Sequence, residues 1–365
     1  MKILLVNAEK GWRGGEQQFV YLAHGLTGVG IAFHILCRKH SVLEKYCNEQ
    51  SLSYTTAGFS STFDVKTVFT IHKVCREQQI NIIHVHGSKP HSLVMLTSFL
   101  GNRLPVVVTR RVSIAPKTSY FSRWKYTHKR VKRVIGISKA IVNRLESAFP
   151  GQLNPLVVYS AIDPEIPGHP LNLKHHLGLP EKCKIVGTTA AFTWGKDHET
   201  LVQTARKFYR DYNNAEPVYF VLVGDGPLLT GIRNMVNAYK LEKHILFTGY
   251  LDQARGLLHQ MDVFLLTSKA EGLGTSLLDA FAAGIPVVCT RAGGMKEVVE
   301  HEKTGWVASV GDSQGLAVGL QRVLESPDFR REITARATTR LHQLFTVDKM
   351  VTGNINVYRE VLERV

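Results

Sequence analysis

The feature that most limits the fold is a repeated alternation of short, apolar, β-branched runs with longer segments of helical periodicity. The apolar runs include KILLVN (2–7), IIHVH (82–86) and PVVVT (105–109) in the first half, and VYFVLVG (218–224) and VFLLTS (263–268) in the second. Helical patterns, for example 65–78 and 198–210, fill the intervals. This order is typical of parallel sheets covered by helices, so the sequence predicts an α/β fold with doubly wound sheets.

A proline-rich segment divides the chain. Residues 161–183 contain four prolines and no strand pattern, so we interpret them as a linker. A chain of 365 residues is long for one domain and suits two of about 170–190 residues each. We therefore predict an N-terminal domain over 1–165, a C-terminal domain over 166–346 and a last helix over 347–365, for which one placement is against the N-terminal domain. A cleft between the domains is expected to hold the ligands, because ligands of doubly wound sheets bind beyond the carboxyl ends of the strands.

The sequence also predicts the compartment. No run reaches the ~18–20 apolar residues that a membrane-spanning helix needs, and MKILLVN leads directly into a strand pattern without the features of a signal peptide. The cysteines stand far apart with no CxxC pair, which indicates reduced, structural thiols at Cys37, Cys47, Cys75, Cys183 and Cys289. We therefore expect a cytoplasmic protein.

Positive charge is concentrated in the first half of the chain. Residues 1–165 carry 22 Lys and Arg against 9 Asp and Glu, whereas residues 166–365 carry 23 against 21. Between Arg103 and Arg144 there are twelve basic residues and no acidic one. Such a run predicts an anionic partner, either a membrane surface, a phosphorylated substrate or a nucleic acid. The alternative is a basic surface that is merely solvated.

A glycine-bearing loop carries the clearest chemical pattern. It follows the strand pattern 263–268 and precedes a helix that begins near Ser276. Glu271 stands at the mouth of this loop, where a carboxylate can accept hydrogen bonds from sugar hydroxyls. The backbone amides at the start of the helix are expected to point toward an anion such as a diphosphate, and they belong to Gly272, Leu273, Gly274 and Thr275.

Asp279 admits two interpretations. A carboxylate at this position can accept hydrogen bonds from the two hydroxyls of a ribose. However, Ser276 and Asp279 also have the S-x-x-[DE] spacing of a capping box, in which Asp279 would only cap the helix. The spacing alone favours neither interpretation.

The sequence around this loop resembles a known family. EGLGTSLLDAFAAGIPVVCTRAGGMKEVV (271–299) resembles the E-x7-E region of retaining glycosyltransferases of family 4, which have the GT-B fold of two Rossmann-like domains facing a central cleft. The resemblance implies that Glu271 contacts the donor sugar, that the amides of 272–275 hold the distal phosphate, and that Asp279 binds the ribose. The family usually has Glu at the last position, so the shorter Asp279 departs from its pattern.

Two further stretches resemble the segments that line the nucleotide pocket in this family. They are VLVGDGPL (221–228) and FTGY (247–250). The resemblance implies donor contacts for Gly224, Gly226, Gly249 and Tyr250.

AAFTWGKDHETLVQTA (190–205) is similar to the donor-phosphate segment of the family. The resemblance implies that Lys196 neutralises charge that builds on the leaving diphosphate, an electrostatic role. The family usually has Arg five residues before this Lys, where this chain has Ala191. Either Lys196 acts with helix amides alone, or another cation such as Arg291 substitutes.

Gly14 and Gly15 lie between the first strand pattern and a helix pattern. Such a turn suits a phosphate, and the resemblance implies that it approaches the donor. The turn does not match G-x-G-x-x-G, and no suitable acid follows the next strand, so the pattern does not indicate a dinucleotide site. Glu16 is either a first-turn acid favoured by the helix dipole or a functional carboxylate.

His84 and His86 lie two residues apart on a strand pattern and therefore face the same side. The resemblance places His86 beside the donor sugar and the acceptor, in a hydrogen-bonding or orienting role, with His91 as an alternative. Such a pair can also bind a metal or be purely structural. No other ligand cluster supports a metal, and in GT-B enzymes fixed cations and amides generally replace the divalent ion, so no metal site is predicted.

The stretch 109–140 combines the basic run with aromatic residues, namely Tyr120, Phe121, Trp124 and Tyr126. This combination is found at nucleic-acid interfaces and at membrane interfaces. The stretch resembles family members that build lipopolysaccharide-type glycolipids, in which this region faces the acceptor. We therefore assign Arg110 and Arg111 to acceptor phosphates, which arginine binds through bidentate hydrogen bonds.

Together these inferences predict a retaining, metal-independent glycosyltransferase. It would move a sugar from a nucleotide-sugar donor to a membrane-associated glycolipid, such as a lipopolysaccharide core, as a peripheral protein at the cytoplasmic membrane face. No cofactor is expected beyond the nucleotide-sugar co-substrate, with UDP- or ADP-sugar favoured, and no nucleic-acid partner. Two rivals remain: a nucleotide-sugar 2-epimerase of the same fold, which turns over donor without acceptor, and a non-enzymatic polyanion- or membrane-binding protein.

Overall fold

The computed structural model describes residues 1–112, 118–212 and 216–364. The chain divides into two compact units, the first formed by Met1–Ala161 together with the segment from Val347 onward, and the second by Ile162–Thr346. Each unit is built around one parallel sheet covered by helices. The predicted α/β fold class is therefore confirmed.

The first unit alternates strands with helices. Its strands are β1 (Lys2–Asn7), β2 (Ala32–Arg38), β3 (Tyr54–Ala57), β4 (Ile82–His86), β5 (Val106–Arg110), β6 (Val131–Gly136) and β7 (Pro155–Val157). Its helices are α1 (Gly14–Gly28), α2 (Val42–Glu49), α3 (Val65–Glu77), α4 (Ser88–Leu96), α5 (Tyr120–Thr127), α6 (Lys139–Ala148) and the C-terminal helix (Val347–Glu363), with a 3₁₀ turn at Thr97–Leu100. Ser41, Asp64 and Ser138 cap α2, α3 and α6, because each side chain accepts a hydrogen bond from an amide of the first turn.

The first sheet has the strand order β3-β2-β1-β4-β5-β6-β7, and its neighbouring strands are parallel. The order reverses between β1 and β4, where Asn7 and His86 stand side by side at the carboxyl ends. Ligands of doubly wound sheets bind at such a switch point. The C-terminal helix packs against α1, and a Cβ on Gly25 would lie 2.2 Å from Val351 Cγ2, so only glycine permits this approach.

The second unit repeats the alternation. Its strands are β8 (Lys184–Thr189), β9 (Val218–Val223), β10 (Ile245–Gly249), β11 (Val263–Leu266), β12 (Val287–Thr290) and β13 (Trp306–Ala308). Its helices are α7 (Leu173–Leu177), α8 (His198–Asp211), α9 (Leu229–Ala238), α10 (Thr275–Ala282), α11 (Met295–Val298), α12 (Ser313–Glu325) and α13 (Pro327–Leu344), with 3₁₀ turns at Trp194–Lys196 and Ala254–Gln260. Within the described ranges, no helix of either unit is long and apolar enough to cross a membrane.

The second sheet has the order β10-β9-β8-β11-β12-β13 and is also parallel. Its order reverses between β8 and β11. The segment 190–196 leaves the carboxyl end of β8, and the segment 267–274 leaves the carboxyl end of β11. The fold therefore brings the Lys196 segment and the Glu271 loop to one switch point.

The boundary between the two units falls at Ala161–Ile162, at the start of the predicted linker, but the rest of this proline-rich segment packs within the second unit. Residues 162–183 belong to the second unit and contain α7, whose Leu173 is fully buried. The Gln260 side chain accepts a hydrogen bond from the Leu173 amide at 2.7 Å and donates one to the Leu171 carbonyl at 2.7 Å. These long-range hydrogen bonds satisfy the backbone of a segment whose composition alone indicates a loop.

The basic run between Arg103 and Arg144 is only partly a surface. Lys125 and Arg130 are buried and donate hydrogen bonds to serine hydroxyls and main-chain carbonyls. Arg133 pairs with a glutamate of the C-terminal helix. Lys117 lies outside the described residues. The interpretation of the whole run as a solvated surface is therefore wrong, although Arg103, Arg123, Lys129, Lys132, Lys139 and Arg144 are exposed.

Candidate functional site

The loop after β11 ends in a glycine turn that starts α10. Gly274 is the residue before the helix and has a φ of +88°, a left-handed conformation that favours glycine. A Cβ at this position would lie 3.0 Å from Met295 Cγ. The helix begins at Thr275, one residue before the predicted start.

The start of α10 has unpaired hydrogen-bond donors. None of the described residues accepts a hydrogen bond from the amides of Leu273, Gly274 or Thr275. The Ser276 hydroxyl is buried and likewise has no partner among the described residues. Converging amides at a helix N-terminus, where the helix dipole adds positive potential, bind anions. The start of α10 therefore has donors available for an anion, and the assignment of residues 272–275 to a phosphate stays a prediction.

Lys196 and Glu271 form an ion pair. The Lys196 ammonium contacts Glu271 Oε1, and the Ser268 hydroxyl donates to the same oxygen at 3.0 Å. The side chains are 26% and 13% exposed, so the pair is mostly shielded yet reachable by a ligand. The amides of Lys269 and Ala270 donate to the Gly195 carbonyl, which ties the two segments together. The structure thus brings together two predicted residues that are far apart in the sequence.

Asp279 is held by a residue that the sequence analysis missed. Arg255 Nε lies 2.7 Å from Asp279 Oδ1, and the same guanidinium reaches the carbonyls of Asp163 and Glu165. Asp279 does not cap α10, because no side chain caps that helix. Asp279 stands in the second turn, where a capping contact is out of reach, so the capping interpretation is wrong.

The Asp279 carboxyl has an altered acidity. Burial raises its pKa to about 6, and Arg255 opposes this rise by favouring the charged form. No signal in the sequence points to Arg255, since it lies in a 3₁₀ turn 24 residues before its partner.

Arg291 is one candidate for a cation that substitutes for the arginine usual at position 191, the alternative being that Lys196 acts with helix amides alone. Arg291 is exposed and donates to the Ser309 hydroxyl at 2.6 Å. Lys269 is the second cation at this loop, because its ammonium lies 3.0 Å from Asp197 Oδ1, next to Lys196. In the sequence, the position of Lys269 two residues before Glu271 is the one feature that could have predicted this cation.

Gly224 and Gly226 serve the packing of the chain. A Cβ on Gly224 would lie 2.2 Å from the Ala190 carbonyl oxygen, and one on Gly226 would lie 2.6 Å from the Phe192 carbonyl oxygen. The turn after β9 therefore packs directly against the backbone of the segment that leads to Lys196. The Gly224 amide donates to the Gly249 carbonyl at 2.9 Å, and Tyr250 follows as an exposed side chain.

We expect Gly224→Ala to lower the free energy of unfolding by about 2–4 kcal/mol, because the methyl group overlaps a carbonyl oxygen in a tightly packed turn. Gly249→Ala is the matched control. Gly249 has a φ of +74° and open space around its Cβ position, so only the backbone cost of about 1–2 kcal/mol remains. Urea denaturation measures both values, and equal losses would contradict the packing role.

In the first unit, His86 lies at the carboxyl end of β4 and is buried. Its Nδ1 is 3.2 Å from a guanidinium nitrogen of Arg111, and because a guanidinium only donates, Nδ1 accepts. Burial, followed by the nearby His84 and Arg111, holds the pKa of His86 well below its usual value. The neutral ring therefore carries its proton on Nε2, which is buried without a partner among the described residues. His86 thus presents an unused N–H donor.

Arg111 lies between His86 and Ser160, whose hydroxyl accepts a hydrogen bond from the guanidinium at 3.2 Å. Burial lowers the pKa of Arg111 to about 10 against the opposing effect of Glu16, so the side chain stays charged at neutral pH. Its Nε is buried and has no partner among the described residues. A Cβ on Gly15 would lie 3.6 Å from Arg111 Cδ, so the glycine turn borders this guanidinium. Ser160, which lies in a different connection, had no signal in the sequence.

The other predicted residues of this unit have structural partners. The Glu16 carboxylate accepts hydrogen bonds from the Arg13 amide and the Asn7 side chain, which is a capping role at α1. Gly14 is the first residue of that helix. Arg110 donates to the Tyr126 hydroxyl at 3.0 Å, away from His86. The two arginines therefore have different partners, Tyr126 for Arg110 and His86 for Arg111.

His84 and His91 are internal. His84 bonds to the Tyr358 hydroxyl at 2.6 Å and to the Thr109 hydroxyl at 2.7 Å. His91 bonds to the Lys125 carbonyl at 2.8 Å. Both rings are fully buried, and His91 Nδ1 has no partner among the described residues. His91 stays the predicted alternative to His86. The described residues contain no group of three potential metal ligands.

The comparisons with known proteins agree across both units. Residues 12–166 match the family model "Glycosyltransferase Family 4", and residues 172–340 match "Glycosyl transferases group 1". The sequence is 27% identical over 327 residues to N-acetyl-alpha-D-glucosaminyl L-malate synthase of Bacillus anthracis, covering 87% of this chain and 84% of that protein.

One further relative matches in sequence over a shorter range, and one solved structure matches in fold. The sequence is 30% identical over 155 residues to the lipopolysaccharide core biosynthesis glycosyltransferase LpsD of Rhizobium meliloti, covering 42% of this chain and 44% of that protein. The fold matches Anabaena Alr3699/HepE in complex with UDP-glucose with a TM-score of 0.83 and 19% identity, over 99% of this chain and 100% of that one. The predicted GT-B fold is confirmed.

Proposed function

Because the chain belongs to the glycosyltransferases, with a family 4 N-terminal part and a group 1 C-terminal part, we propose that it moves a sugar from a nucleotide-sugar donor to a membrane-associated glycolipid with retention of configuration. The observation that carries this proposal is the set of unpaired amides at the start of α10 beside the Lys196–Glu271 pair. Amides and a cation at one switch point suit a diphosphate, and the adjacent carboxylate suits sugar hydroxyls.

The donor binds the second unit. The diphosphate accepts hydrogen bonds from the amides of residues 272–275, and Glu271 accepts hydrogen bonds from the sugar. Asp279 accepts hydrogen bonds from the ribose, with Arg255 fixing its orientation. Gly249 and Tyr250 stand near the base. UDP- and ADP-sugars are the favoured donors, and Anabaena Alr3699/HepE, whose structure contains UDP-glucose, has the same fold.

Transfer requires stabilisation of the leaving diphosphate. The bond between the anomeric carbon and the diphosphate oxygen breaks, and the acceptor oxygen bonds to that carbon from the same face. The leaving phosphate takes the acceptor's proton. Lys196 and the α10 amides neutralise the charge that develops, a fixed arrangement that needs no solvent reorganisation. These groups stand in for a divalent metal, and the reaction uses no cofactor beyond the co-substrate.

The acceptor binds the first unit at the carboxyl edge of its sheet. Arg111 supplies a half-buried positive charge for an acidic group of the acceptor, and the Nε2–H of His86 donates to an acceptor or donor oxygen. A lipopolysaccharide core or a related surface glycan carries such anionic groups, and Rhizobium meliloti LpsD is named for this pathway. The protein then acts as a peripheral enzyme at the cytoplasmic face of the membrane.

A small dicarboxylic acid is a second candidate acceptor. The relative in Bacillus anthracis is named N-acetyl-alpha-D-glucosaminyl L-malate synthase and aligns with 87% of this chain. A single half-buried arginine can also bind a carboxylate. Incubation of the enzyme with UDP-sugars and either L-malate or a membrane-lipid extract, followed by measurement of released UDP, distinguishes the two acceptors.

Donor binding is tested by thermal unfolding with UDP, ADP and GDP. A nucleotide at about 100 times its Kd stabilises the protein by about 2.7 kcal/mol.

Turnover that needs an acceptor supports transfer, whereas conversion of donor alone would indicate a 2-epimerase. NMR of the product's anomeric proton tests retention. Full activity after EDTA treatment is expected, and loss that Mg²⁺ restores would contradict metal independence.

We expect nucleotide affinity to fall as the pH drops through about 6, since the Asp279 carboxyl becomes protonated there and loses acceptor capacity. Because this pKa is raised above that of the unfolded chain, Asp279 stabilises the fold most at low pH and loses this contribution as the pH rises through about 6. Arg255→Met should move the midpoint of the pH dependence of nucleotide affinity to higher pH, because Arg255 favours the charged form of Asp279. Calorimetric titration with UDP between pH 5 and about 8 measures it, and identical midpoints would contradict the role of Arg255.

A further inference from the structure

Four aromatic rings form a continuous strip on the first unit, here named the aromatic strip. The ring centroids of Phe63 and Phe121 are 5.3 Å apart, those of Phe121 and Trp124 are 5.6 Å apart, and those of Phe99 and Trp124 are 5.8 Å apart. The strip joins the loop before α3, the helix α5 and the 3₁₀ turn at Thr97–Leu100. Segments distant in the sequence thus build one surface.

The two ends of the aromatic strip are exposed. Phe63 is 62% exposed and Phe99 is 77% exposed, and Tyr120, next to Phe121, is 90% exposed. Exposed apolar side chains that adjoin one another, rather than standing singly, are candidates for a contact surface.

A cavity of about 480 Å³, here named the basic pocket, opens at one end of the aromatic strip. Phe99 and Trp124 form its aromatic wall. Among the residues that line it, the charged ones are all basic, and they are Arg103, Lys129, Arg130 and Lys132. An anion in this pocket meets attraction without a competing carboxylate.

Among the described residues, no carboxylate forms an ion pair with the basic side chains of this pocket. Buried Arg130 donates to the carbonyls of Val94 and Leu104 and to the Asn102 side chain, which are neutral partners. The Asn102 amide nitrogen is buried without a partner among the described residues. No Asp or Glu occurs in the sequence between Glu77 and Glu146.

We propose that the aromatic strip and the basic pocket dock the protein on a bilayer that contains anionic phospholipid, with a lipid phosphate in the pocket and the rings at headgroup depth. Aromatic side chains favour this depth, and nearby Lys and Arg are attracted to anionic lipids. The proposal rests on the proposed function, since it gives a transferase access to a membrane-bound acceptor.

The position of the aromatic strip fits this role. Phe63 and Phe121 lie in connections that follow β3 and β5, on the carboxyl side of the sheet, which also carries His86 and Arg111. Phe99 and the basic pocket lie in connections that precede β5 and β6, on the amino side. A bilayer against this strip therefore runs along one helical layer and extends to the edge where the acceptor is proposed to bind.

A single-stranded nucleic acid fits this surface less well. Such ligands stack their bases on free aromatic faces. Here the Trp124 ring already stacks on both Phe99 and Phe121, with interplanar angles of 15° and 29°. The rings contact one another in sequence, which suits insertion into a headgroup layer.

The test is sedimentation of the full chain with vesicles of phosphatidylcholine alone or mixed equally with phosphatidylglycerol. We expect binding to the mixed vesicles, weakened by salt. The variant R103Q/K129Q/K132Q should bind about 100-fold more weakly, since each exposed basic residue contributes roughly fivefold. The variant F63S/F99S should bind roughly tenfold more weakly through lost apolar contact.

The matched control is K182Q/K240Q/K243Q, which removes the same charge from exposed sites of the second unit. It should bind as the wild type does. Equal losses in both triple variants, or no binding by the wild type, would overturn the docking surface. Tight binding to poly(U) that depends on the pocket residues, without vesicle binding, would instead assign the surface to nucleic acid.

The two proposals fail separately. Stabilisation by UDP and transfer to a detergent-dispersed acceptor depend on the proposed active site and not on the aromatic strip. If UDP stabilisation and transfer are both observed but the protein does not bind vesicles, the docking surface is wrong and the proposed function stands. If vesicle binding follows the pocket residues but no nucleotide stabilises the protein, the proposed function is wrong, and the surface stands as a bilayer contact without its link to transfer.

Discussion

Replacing Glu271 by Gln is expected to lower the rate of sugar transfer by about 10²–10³-fold or more, and replacing Lys196 by Met is expected to do the same. Glu271 is proposed to bind the donor sugar, and Lys196 the leaving diphosphate. An electrostatic group aimed at developing charge acts mainly in the transition state, so kcat should fall more than KM rises for Lys196→Met.

Because Lys196 and Glu271 form an ion pair, the double variant distinguishes a structural role of the pair from a role in transfer. Each single variant leaves one charge without its partner in a mostly shielded site. If the pair were only structural, the double variant K196M/E271Q would recover the stability lost by either single variant and would regain activity. We expect the double variant to regain stability but to stay inactive.

The control is R336M/E332Q, which removes an exposed ion pair from α13 in the same unit. It should keep both activity and stability, because exposed pairs contribute little. Released UDP measures turnover, and circular dichroism during heating measures folding. Full turnover in both Glu271→Gln and Lys196→Met would remove these residues from the active site.

Replacing Arg111 by Met is expected to lower kcat/KM for the acceptor by about 10²-fold, while stabilisation by UDP stays unchanged. The substitution removes a half-buried positive charge and also the donor that fixes the His86 tautomer. Without that donor the His86 proton can move to Nδ1, which takes the N–H away from Nε2. Kinetics at varied acceptor concentration and UDP-dependent thermal shifts check the two expectations.

Two further variants separate the contributions in this unit. His86→Gln should lower kcat/KM by a similar factor, because a flexible amide does not reproduce the fixed N–H of the ring. Arg110→Met should have a smaller effect than Arg111→Met, since Arg110 bonds to Tyr126 rather than to His86. A larger loss from Arg110→Met would reverse the proposed assignment of the acceptor site.

Much of the fold was predictable because its signals are local. A buried parallel strand such as β4 or β9 is a continuous apolar run, and strand and helix patterns alternate along the chain. The Glu271 loop was predictable for the same reason, since glycines at a strand–helix junction are visible in a few consecutive residues. The signal is weaker in α13, where only Ile333, Ala337 and Leu341 are buried among its 18 residues.

The contacts that the sequence did not predict share a different cause. The segment 162–183 has the composition of a linker, but Gln260 satisfies part of its backbone from elsewhere in the chain. The Ser276–Asp279 spacing suggests a cap, but Arg255 engages Asp279 instead. Composition and spacing do not reveal such distant partners.

The sequence by itself determined that two parallel α/β sheets form and that an acid-bearing glycine loop starts α10, because periodicity and turn chemistry act over neighbouring residues. Only the tertiary structure decided that Lys196 contacts Glu271, that Arg255 holds Asp279, and that Arg111 rather than Arg110 faces His86. These pairings depend on which strand ends become neighbours in the sheet, and that order is set by the packing of the whole unit.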